Sequence, residues 1–302
     1  MSAYVLGLDI GGSKTHALVT RGDVVIADLR GPSANPASVG LAESAHRLRT
    51  LLAELAQAGV GLDQVGSVCA GAAGVDTPEQ VARLTSILAE SLPYASIRVV
   101  HDTELLLAAA GTSSGIALIA GTGSVAWGCT VDGRQARAGG WGYVLGDDGS
   151  GYGIARAAVR HALGRLDAGL APDRLTRQLA IGCGLDRPAL LLDHFYAQPE
   201  RRYWAEQSTI VFRLAEAGDP AATKIIGAAA THLSTLVESV SLRLAVAGPV
   251  ILAGGVLVHQ PLLRRLLADR LAAIGITDLR LLDADPVVGA VRLAGDLRSS
   301  AA

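Results

Sequence analysis

Two aspartates stand where apolar, strand-like segments end. Tyr4–Ile10 is apolar, carries Asp9 near its end and runs into a double glycine, and residues 97–101 lead directly into Asp102. Ligands of open α/β folds bind at the rim of the sheet, where such carboxylates would lie. Asp102 could there accept the proton of an attacking hydroxyl, and Asp9 could hold Mg²⁺ through water. The alternative for Asp102 is a helix N-cap, a position that aspartate favours.

A glycine turn with added donors follows Asp9. The glycines let the backbone turn tightly and point N–H groups at an anion, and the next side chains supply an ammonium and two hydroxyls. A Walker A loop is not predicted, because the lysine comes one residue late and the next segment resembles a strand rather than a helix. The residues expected to contact a phosphate chain are Gly11, Gly12, Ser13, Lys14 and Thr15.

Two further glycine turns follow apolar segments. Gly121-Thr122-Gly123-Ser124 separates two strand-like segments, as the first turn does, so the two turns together suggest loops that clasp one phosphate chain from opposite lobes. Gly254-Gly255 follows a third apolar segment and would let the adenine and ribose of a nucleotide approach the backbone. Each of these turns, taken alone, also fits an ordinary connection between elements.

The stretch from Gly139 to Tyr152 is rich in glycine and carries two acids and a tryptophan. An EF-hand is not predicted, because Ala158 stands where the calcium loop needs glutamate. A sugar site fits better. Carboxylates such as Asp147 accept hydroxyl hydrogen bonds, and Trp141 offers a flat apolar face.

The pattern of elements predicts a duplicated architecture. Each half opens with strand, glycine turn, strand, turn and strand, beginning at Tyr4 and again at Ile116. Residues 36–59 are predicted as one helix, and the chain from Gly153 onward as helical for about 95 residues. At roughly 150 residues per domain, the 302 residues suggest two domains.

The composition excludes several classes of protein. Half of the residues are hydrophobic, 18% are charged and the formal net charge is −2, which indicates a globular chain without a nucleic-acid or membrane partner. The three cysteines are far apart, so neither a disulfide framework nor a structural zinc site is expected, and the cytoplasm is the predicted compartment. No signal peptide or transmembrane helix is expected.

Taken in order, these motifs resemble the actin, Hsp70 and sugar-kinase superfamily. Within it, the chain is similar to the eukaryotic-type N-acetylglucosamine kinases and the related bacterial ATPase family that includes activators of benzoyl-CoA reduction. The resemblance runs from Asp9 to the segment beginning at Pro286, and its most specific part is Gly140-Trp141-Gly142 with Gly146-Asp147-Asp148-Gly149-Ser150. One departure is Asp148, where such kinases commonly carry glutamate.

The resemblance implies an α/β fold of two actin-like ATPase (ribonuclease H-like) lobes with a cleft between them. Each lobe would contain a mixed five-stranded sheet with flanking helices. Residues 1–112, with a closing helix at 286–298, would form the N-terminal lobe, and residues 113–285 the C-terminal lobe with a helical insertion.

The resemblance also assigns roles to single residues. Asp102 would be the general base on a sugar 6-hydroxyl, and Asp9 would help to place Mg²⁺. The sugar would be bound by Asn35, Asp102, Gly140, Trp141 and Asp147. ATP phosphates would be bound by Gly11, Gly12, Ser13, Lys14, Thr15, Thr122 and Gly123, and the nucleoside by Gly254 and Gly255.

The function expected from the sequence is therefore ATP-dependent 6-phosphorylation of N-acetylglucosamine, with ATP and Mg²⁺ as cofactors. Glucosamine and N-acetylmuramic acid are alternative substrates, because the sequence does not show what the pocket offers at C2 or C3. An ATP-binding regulator on the same fold is the alternative without catalysis. A cytoplasmic homodimer is expected from the resemblance.

Overall fold

The computed structural model describes residues 4–12, 14–75 and 77–299 of the chain. These residues form two compact units. Unit 1 runs to Ser113 and takes up the chain again at Leu282, and unit 2 is Ser114–Leu281.

Unit 1 is built on a mixed five-stranded sheet. Its strands are β1 (Tyr4–Ile10), β2 (Lys14–Arg21), β3 (Val24–Pro32), β4 (Val65–Ala72) and β5 (Ser96–His101), in the order β3-β2-β1-β4-β5. β1 pairs antiparallel with β2 and parallel with β4, and β4 pairs parallel with β5. β1 is almost continuously apolar because it lies in the middle of the sheet with both faces covered.

The helices of unit 1 cover this sheet. They are α1 (Pro36–Val39), α2 (Leu41–Gln57), α3 (Pro78–Ser91), α4 (Asp102–Ala109) and the last helix, α13 (Pro286–Ser299). The single helix expected over residues 36–59 is broken, because Gly40 takes a left-handed φ of 82° between α1 and α2. Thr77 and Gln80 form a reciprocal capping box that fixes the start of α3.

Helix α13 packs closely on the other elements of unit 1. A Cβ atom placed on Gly289 would lie 2.0 Å from the Leu105 carbonyl oxygen of α4, and one on Gly7 of β1 would lie 2.8 Å from Val291. The two glycines therefore permit backbone contacts that no larger residue would allow. Ala290 and Ala294 of α13 complete a buried cluster with residues of the sheet and α4.

Unit 2 repeats the sheet topology of unit 1. Its strands are β6 (Gly115–Ala120), β7 (Ser124–Cys129), β8 (Gln135–Gly139), β9 (Val250–Ala253) and β10 (Leu279–Leu281), in the order β10-β9-β6-β7-β8. β6 and β7 are antiparallel, as are β7 and β8, whereas β6, β9 and β10 are parallel neighbours. The prediction of two mixed five-stranded sheets is confirmed.

The helices of unit 2 lie mainly between β8 and β9. They are α5 (Gly142–Leu145), α6 (Gly151–Asp167), α7 (Arg174–Gly182), α8 (Leu191–Ala197), α9 (Arg201–Glu216), α10 (Pro220–Leu244), α11 (Gly255–His259) and α12 (Pro261–Ala272). By length and composition, α10 could cross a membrane. Its apolar side chains pack on the sheet instead, and Leu233, Val237 and Val240 are fully buried.

Candidate functional site

The carboxyl ends of three strands in unit 1 meet at one edge of the sheet. Asp9 of β1 lies opposite Gly71 of β4 in the parallel ladder, and Ala72 lies opposite His101, the last residue of β5. Asp102 follows at once as the first residue of α4. The topology thus brings the two aspartates to the same edge, where ligands bind in open α/β sheets.

Asp9 is a mostly buried carboxylate with an unusual charge balance. Burial, and then the charge of Asp102, raise its pKa from 3.8 to about 6, while the nearby Lys14 and His16 act in the opposite direction. The Asp9 carboxylate makes no hydrogen bond to any other described residue. A cation at this carboxylate would offset both the burial and the repulsion by Asp102.

These residues fit a magnesium ion better than a transition metal. Among the described residues, no three His, Cys, Asp or Glu side chains lie close enough together to enclose a metal ion. Mg²⁺ does not need such an enclosure, since it keeps several waters and binds through one or two carboxylates and substrate phosphates.

Asp102 is held at the first turn of α4 by its neighbour. The N-cap of α4 is His101, so the cap expected as the alternative role of Asp102 belongs to the preceding residue. Nδ1 of His101 lies 2.9 Å from Oδ1 of Asp102. The Asp102 side chain is 25% exposed, which leaves its carboxylate accessible to a ligand.

Gly11 and Gly12 follow β1 and begin the connection to β2. The Gly11 N–H donates to the Lys14 carbonyl at 3.0 Å, and Gly12 and Lys14 are exposed. Ser13 lies outside the described residues. Thr15 is 1% exposed, and its hydroxyl oxygen accepts the Ala34 N–H at 2.8 Å, so this side chain faces the loop after β3.

Asn35 ties that loop to the end of β4. Its amide N–H donates to the Ala73 carbonyl at 2.8 Å, and its side-chain oxygen accepts the Ala37 N–H as the N-cap of α1. The residue is 2% exposed. One amide N–H and one oxygen lone pair remain for a ligand at this edge.

In unit 2, the glycine turn between β6 and β7 is tied to the loop that contains Asp147. Oδ1 of Asp147 accepts the Ser124 N–H at 2.9 Å, and the Gly151 N–H donates to the Gly121 carbonyl at 2.8 Å. A Cβ on Gly123 would lie 3.0 Å from Oδ2 of Asp147. Asp147 is 5% exposed and has a left-handed φ of 64°. Its buried carboxylate therefore supports the backbone of the turn.

The Gly139–Leu145 segment exposes apolar side chains. Trp141 is 64% exposed, and its ring lies 5.1 Å from the Arg137 guanidinium, which is within range of a cation–π contact. The Gly140 N–H donates to the Ser124 carbonyl at 3.0 Å, which links this segment to the same turn. Both Gly139 and Gly140 have left-handed φ angles near 70°, which side chains rarely adopt.

The double glycine after β9 lies beside the same turn. A Cβ on Gly254 would lie 2.5 Å from the Ala120 carbonyl oxygen, and one on Gly121 would lie 3.7 Å from the Gly255 nitrogen. Residues predicted separately from the sequence thus meet within unit 2: Gly121, Thr122, Gly123, Gly140, Asp147, Gly254 and Gly255.

Sequence patterns did not identify Arg156, which holds the loop before α6 in place. Its guanidinium donates to the Tyr143 and Gly146 carbonyls and forms an ion pair with Asp148 at 2.5 Å. Asp148 therefore points to Arg156, away from the buried carboxylate of Asp147. The one feature of the sequence that relates to this ion pair is the spacing of eight residues between Asp148 and Arg156. Such a spacing is too common to predict a contact.

Comparisons with known proteins agree with this architecture. The model of the BadF/BadG/BcrA/BcrD ATPase family matches residues 6–294. An N-acetylmuramic acid/N-acetylglucosamine kinase of Clostridium acetobutylicum is 40% identical over 169 residues, which cover 54% of this chain and 55% of that protein. An N-acetyl-D-glucosamine kinase of Dictyostelium discoideum is 29% identical, with 96% of this chain and 97% of that protein covered.

Solved structures share the fold at low sequence identity. A proposed N-acetylglucosamine kinase from Chromobacterium violaceum has a TM-score of 0.73 and 23% identity, covering 97% of this chain and 99% of that chain. A ROK hexokinase from Thermus thermophilus has a TM-score of 0.62 and 18% identity, covering 98% and 99% respectively. Structural similarity at these low sequence identities shows that the chain has the actin-like fold, and it does not by itself show a function.

Proposed function

Because this chain belongs to the BadF/BadG/BcrA/BcrD ATPase family, we propose that it is an ATP-dependent kinase of an amino sugar, with the 6-hydroxyl of N-acetylglucosamine as acceptor. Two curated relatives, one of them aligned over nearly its whole length, are named as kinases of such sugars. The observation that carries the proposal is the pair of carboxylates, Asp9 and Asp102, at one edge of the unit 1 sheet.

Asp102 is the proposed general base. As the sugar oxygen attacks the terminal phosphorus of ATP, the hydroxyl proton moves to the Asp102 carboxylate, the bond from that phosphorus to the bridging oxygen breaks, and ADP leaves. Phosphoryl transfer requires mainly positioning and charge neutralisation, so one accessible carboxylate suffices as the base. The 25% exposure of Asp102 is compatible with this role.

Asp9 is the proposed magnesium residue. Its buried carboxylate has no hydrogen-bond partner among the described residues and would hold the ion through water. When bound, Mg²⁺ would neutralise charge on the phosphate groups of ATP.

The glycine turns are the proposed phosphate contacts. Gly11, Gly12 and Lys14 are on the surface of unit 1 and can offer backbone and ammonium donors, with Ser13 and Thr15 as the remaining predicted contacts. In unit 2, Thr122 and Gly123 would contact phosphate, and Gly254 and Gly255 the nucleoside. Backbone N–H groups in such turns bind anions without adding net charge.

The sugar contacts are proposed on both units. Asn35 would use the N–H and lone pair that its loop contacts leave, and Gly140 and Trp141 would present backbone and an apolar ring face. Asp147 would accept a sugar hydroxyl through the lone pairs that Ser124 does not use, since a carboxylate has about four acceptor positions.

N-Acetylmuramic acid is the second candidate acceptor. The Clostridium acetobutylicum relative, 40% identical over about half of each chain, is named for both N-acetylmuramic acid and N-acetylglucosamine. Glucosamine remains an alternative that requires an extra acceptor for its ammonium group. A cytoplasmic homodimer is part of the same proposal.

The test is an ADP-release assay with N-acetylglucosamine, N-acetylmuramic acid, glucosamine and glucose, each with ATP and Mg²⁺. We expect rapid ADP release with the N-acetylated sugars, and phosphorus NMR should locate the new phosphate at C6. D102N should lower kcat about 10²–10⁴-fold with little change in sugar affinity.

The matched control is D23N, which changes an exposed aspartate in the turn between β2 and β3, at the opposite edge of the same sheet. It should keep wild-type kcat. ADP release that does not depend on any amino sugar would favour an ATP-binding regulator, and full activity in D102N would remove Asp102 as the base.

A further inference from the structure

A groove in unit 2 lies between α6 and α10. It is lined by residues of the stretches 153–161 of α6 and 221–229 of α10, together with Asp148, and we call it the α6–α10 groove. A Cβ on Gly149 would lie 2.6 Å from Leu233, so the loop just before α6 packs against the middle of α10. The volume of the groove is about 550 Å³, which is in the range of small-molecule sites. None of the described residues that line it is among those proposed to contact ATP, magnesium or the sugar.

The lining of the α6–α10 groove is mainly apolar and contains small side chains. Ile154 and Ala229 are buried, and Ala157 and Ile225 are half-buried. Because alanine occupies several of the lining positions, the two helices leave a space between them that larger side chains would fill. An apolar group in this space would remove apolar surface of both partners from water, which favours binding.

Two cations at the α6–α10 groove are available to an anion. Arg160 and Lys224 are exposed, and neither makes a hydrogen bond or ion pair with another described residue. Asp148, the one acid among the described residues that line the groove, lies 2.5 Å from the Arg156 guanidinium. The two charges of this ion pair offset each other, so Arg160 and Lys224 leave the groove with an excess of positive charge.

We propose that the α6–α10 groove binds a phosphate monoester that carries an apolar group. Arg160 and Lys224 would donate charge-assisted hydrogen bonds to the phosphate oxygens, and the apolar group would lie against the alanine and isoleucine side chains. His161 also lines the groove, but its Nε2 lies 2.7 Å from Oδ2 of Asp173, so it is not counted as a phosphate ligand. Exposed ion pairs contribute little by themselves, so the apolar group is required for measurable affinity.

The test is a calorimetric titration of the full chain with 1-naphthyl phosphate, which joins a phosphate monoester to a flat apolar ring system. The protein is first saturated with Mg²⁺, ADP and N-acetylglucosamine, so that the proposed catalytic site is occupied. We expect 1-naphthyl phosphate to bind under these conditions. Inorganic phosphate, which lacks the apolar group, and 1-naphthol, which lacks the phosphate, should each bind at least about tenfold more weakly.

Substitutions locate the bound molecule. R160Q/K224Q removes both cations and keeps good helix formers at exposed positions, so it should retain the wild-type melting temperature and bind 1-naphthyl phosphate at least about tenfold more weakly. A157L adds a side chain to the groove without a change of charge and should also weaken binding about tenfold. R265Q, at an exposed arginine of α12 outside the groove, is the matched control and should bind as the wild type does.

Several results would overturn the inference. They are the absence of binding to the wild type, wild-type affinity in R160Q/K224Q or in A157L, and equal binding of 1-naphthol and 1-naphthyl phosphate. Loss of binding in the presence of Mg²⁺, ADP and N-acetylglucosamine would place the molecule in the catalytic site and would also overturn it. The titration requires no turnover, so its outcome is independent of the sugar assay that tests the proposed function.

Discussion

Replacing Asp9 by asparagine should stabilise the ligand-free protein. Burial and the neighbouring Asp102 raise the pKa of Asp9 from 3.8 to about 6, so the ionised carboxylate is less favourable in the folded state than in the unfolded chain. Asparagine has nearly the same shape and carries no charge. D9N therefore removes an unfavourable charge at neutral pH while keeping the packing of β1.

The expected magnitude follows from linkage between protonation and folding. Above about pH 6 the carboxylate is ionised in both states, and the difference in pKa corresponds to about 3 kcal/mol of lost stability. As pH falls from about 6 to about 4, the Asp9 carboxylate is protonated in the folded state before it is protonated in the unfolded chain. The loss of stability caused by Asp9 therefore decreases, to about 1 kcal/mol at pH ~4.5. At a few degrees per kcal/mol, D9N should melt roughly 5–10 °C above the wild type at pH ~7.5.

The assay is thermal unfolding followed by circular dichroism, without divalent cations, for wild type, D9N and D23N at both pH values. The quantity compared is the difference between variant and wild type at the same pH, which cancels the titration of other groups. Mg²⁺ with ADP should raise the melting temperature of the wild type and raise that of D9N much less.

Two outcomes would refute this reasoning. If D9N and the wild type melt together at pH ~7.5, the Asp9 carboxylate is not under electrostatic strain. If the D9N advantage is as large at pH ~4.5 as at pH ~7.5, its cause is packing rather than charge. D23N should match the wild type throughout, because Asp23 is exposed.

Two further predictions concern unit 2. D147A should destabilise the protein by about 1–3 kcal/mol, because the buried Ser124 N–H loses its acceptor, and it should raise the KM for the amino sugar, which Asp147 is proposed to bind, as well as the KM for ATP. D147N keeps an acceptor and tolerates the left-handed φ, so its losses should be smaller. Denaturant unfolding measures the stability of both variants and steady-state kinetics their KM values. Equal losses of stability in D147A and D147N would contradict the prediction. G254A should fail to fold stably or lose several kcal/mol of folding stability. The added Cβ would lie 2.5 Å from the Ala120 carbonyl oxygen, and the φ of 90° at position 254 is one that alanine rarely adopts. A G254A protein with wild-type melting temperature would show that the backbone can move there.

The sheets and their turns could be predicted because short-range patterns specify them. Apolar runs that end in glycine and aspartate identified β1, β5 and β6, and the repeated strand-turn-strand order predicted the duplicated sheet, which is confirmed. The break at Gly40 was missed, because a single glycine inside a helical pattern does not reveal whether its φ is left-handed.

Side-chain direction could not be predicted from spacing. Aspartate is a common N-cap, so the sequence left that role open for Asp102 as the alternative to a general base, yet the imidazole of His101 caps α4 and leaves Asp102 in the first turn. Asp147 and Asp148 are adjacent and chemically alike, but the left-handed backbone at Asp147 turns one carboxylate inward and the other toward Arg156. The site assignments remain predictions that the substitutions above test.

The packing of α13 has a consequence for biosynthesis. Gly7 lets β1 contact Val291 of α13, 284 positions later in the chain, and Gly289 lets α13 contact Leu105 of α4, 184 positions earlier. The cluster around Leu105 stays open to water until Ala290 and Ala294 fill it. The unit that carries both aspartates therefore cannot mature on the ribosome before α13 emerges, whereas unit 2 is already complete in the nascent chain.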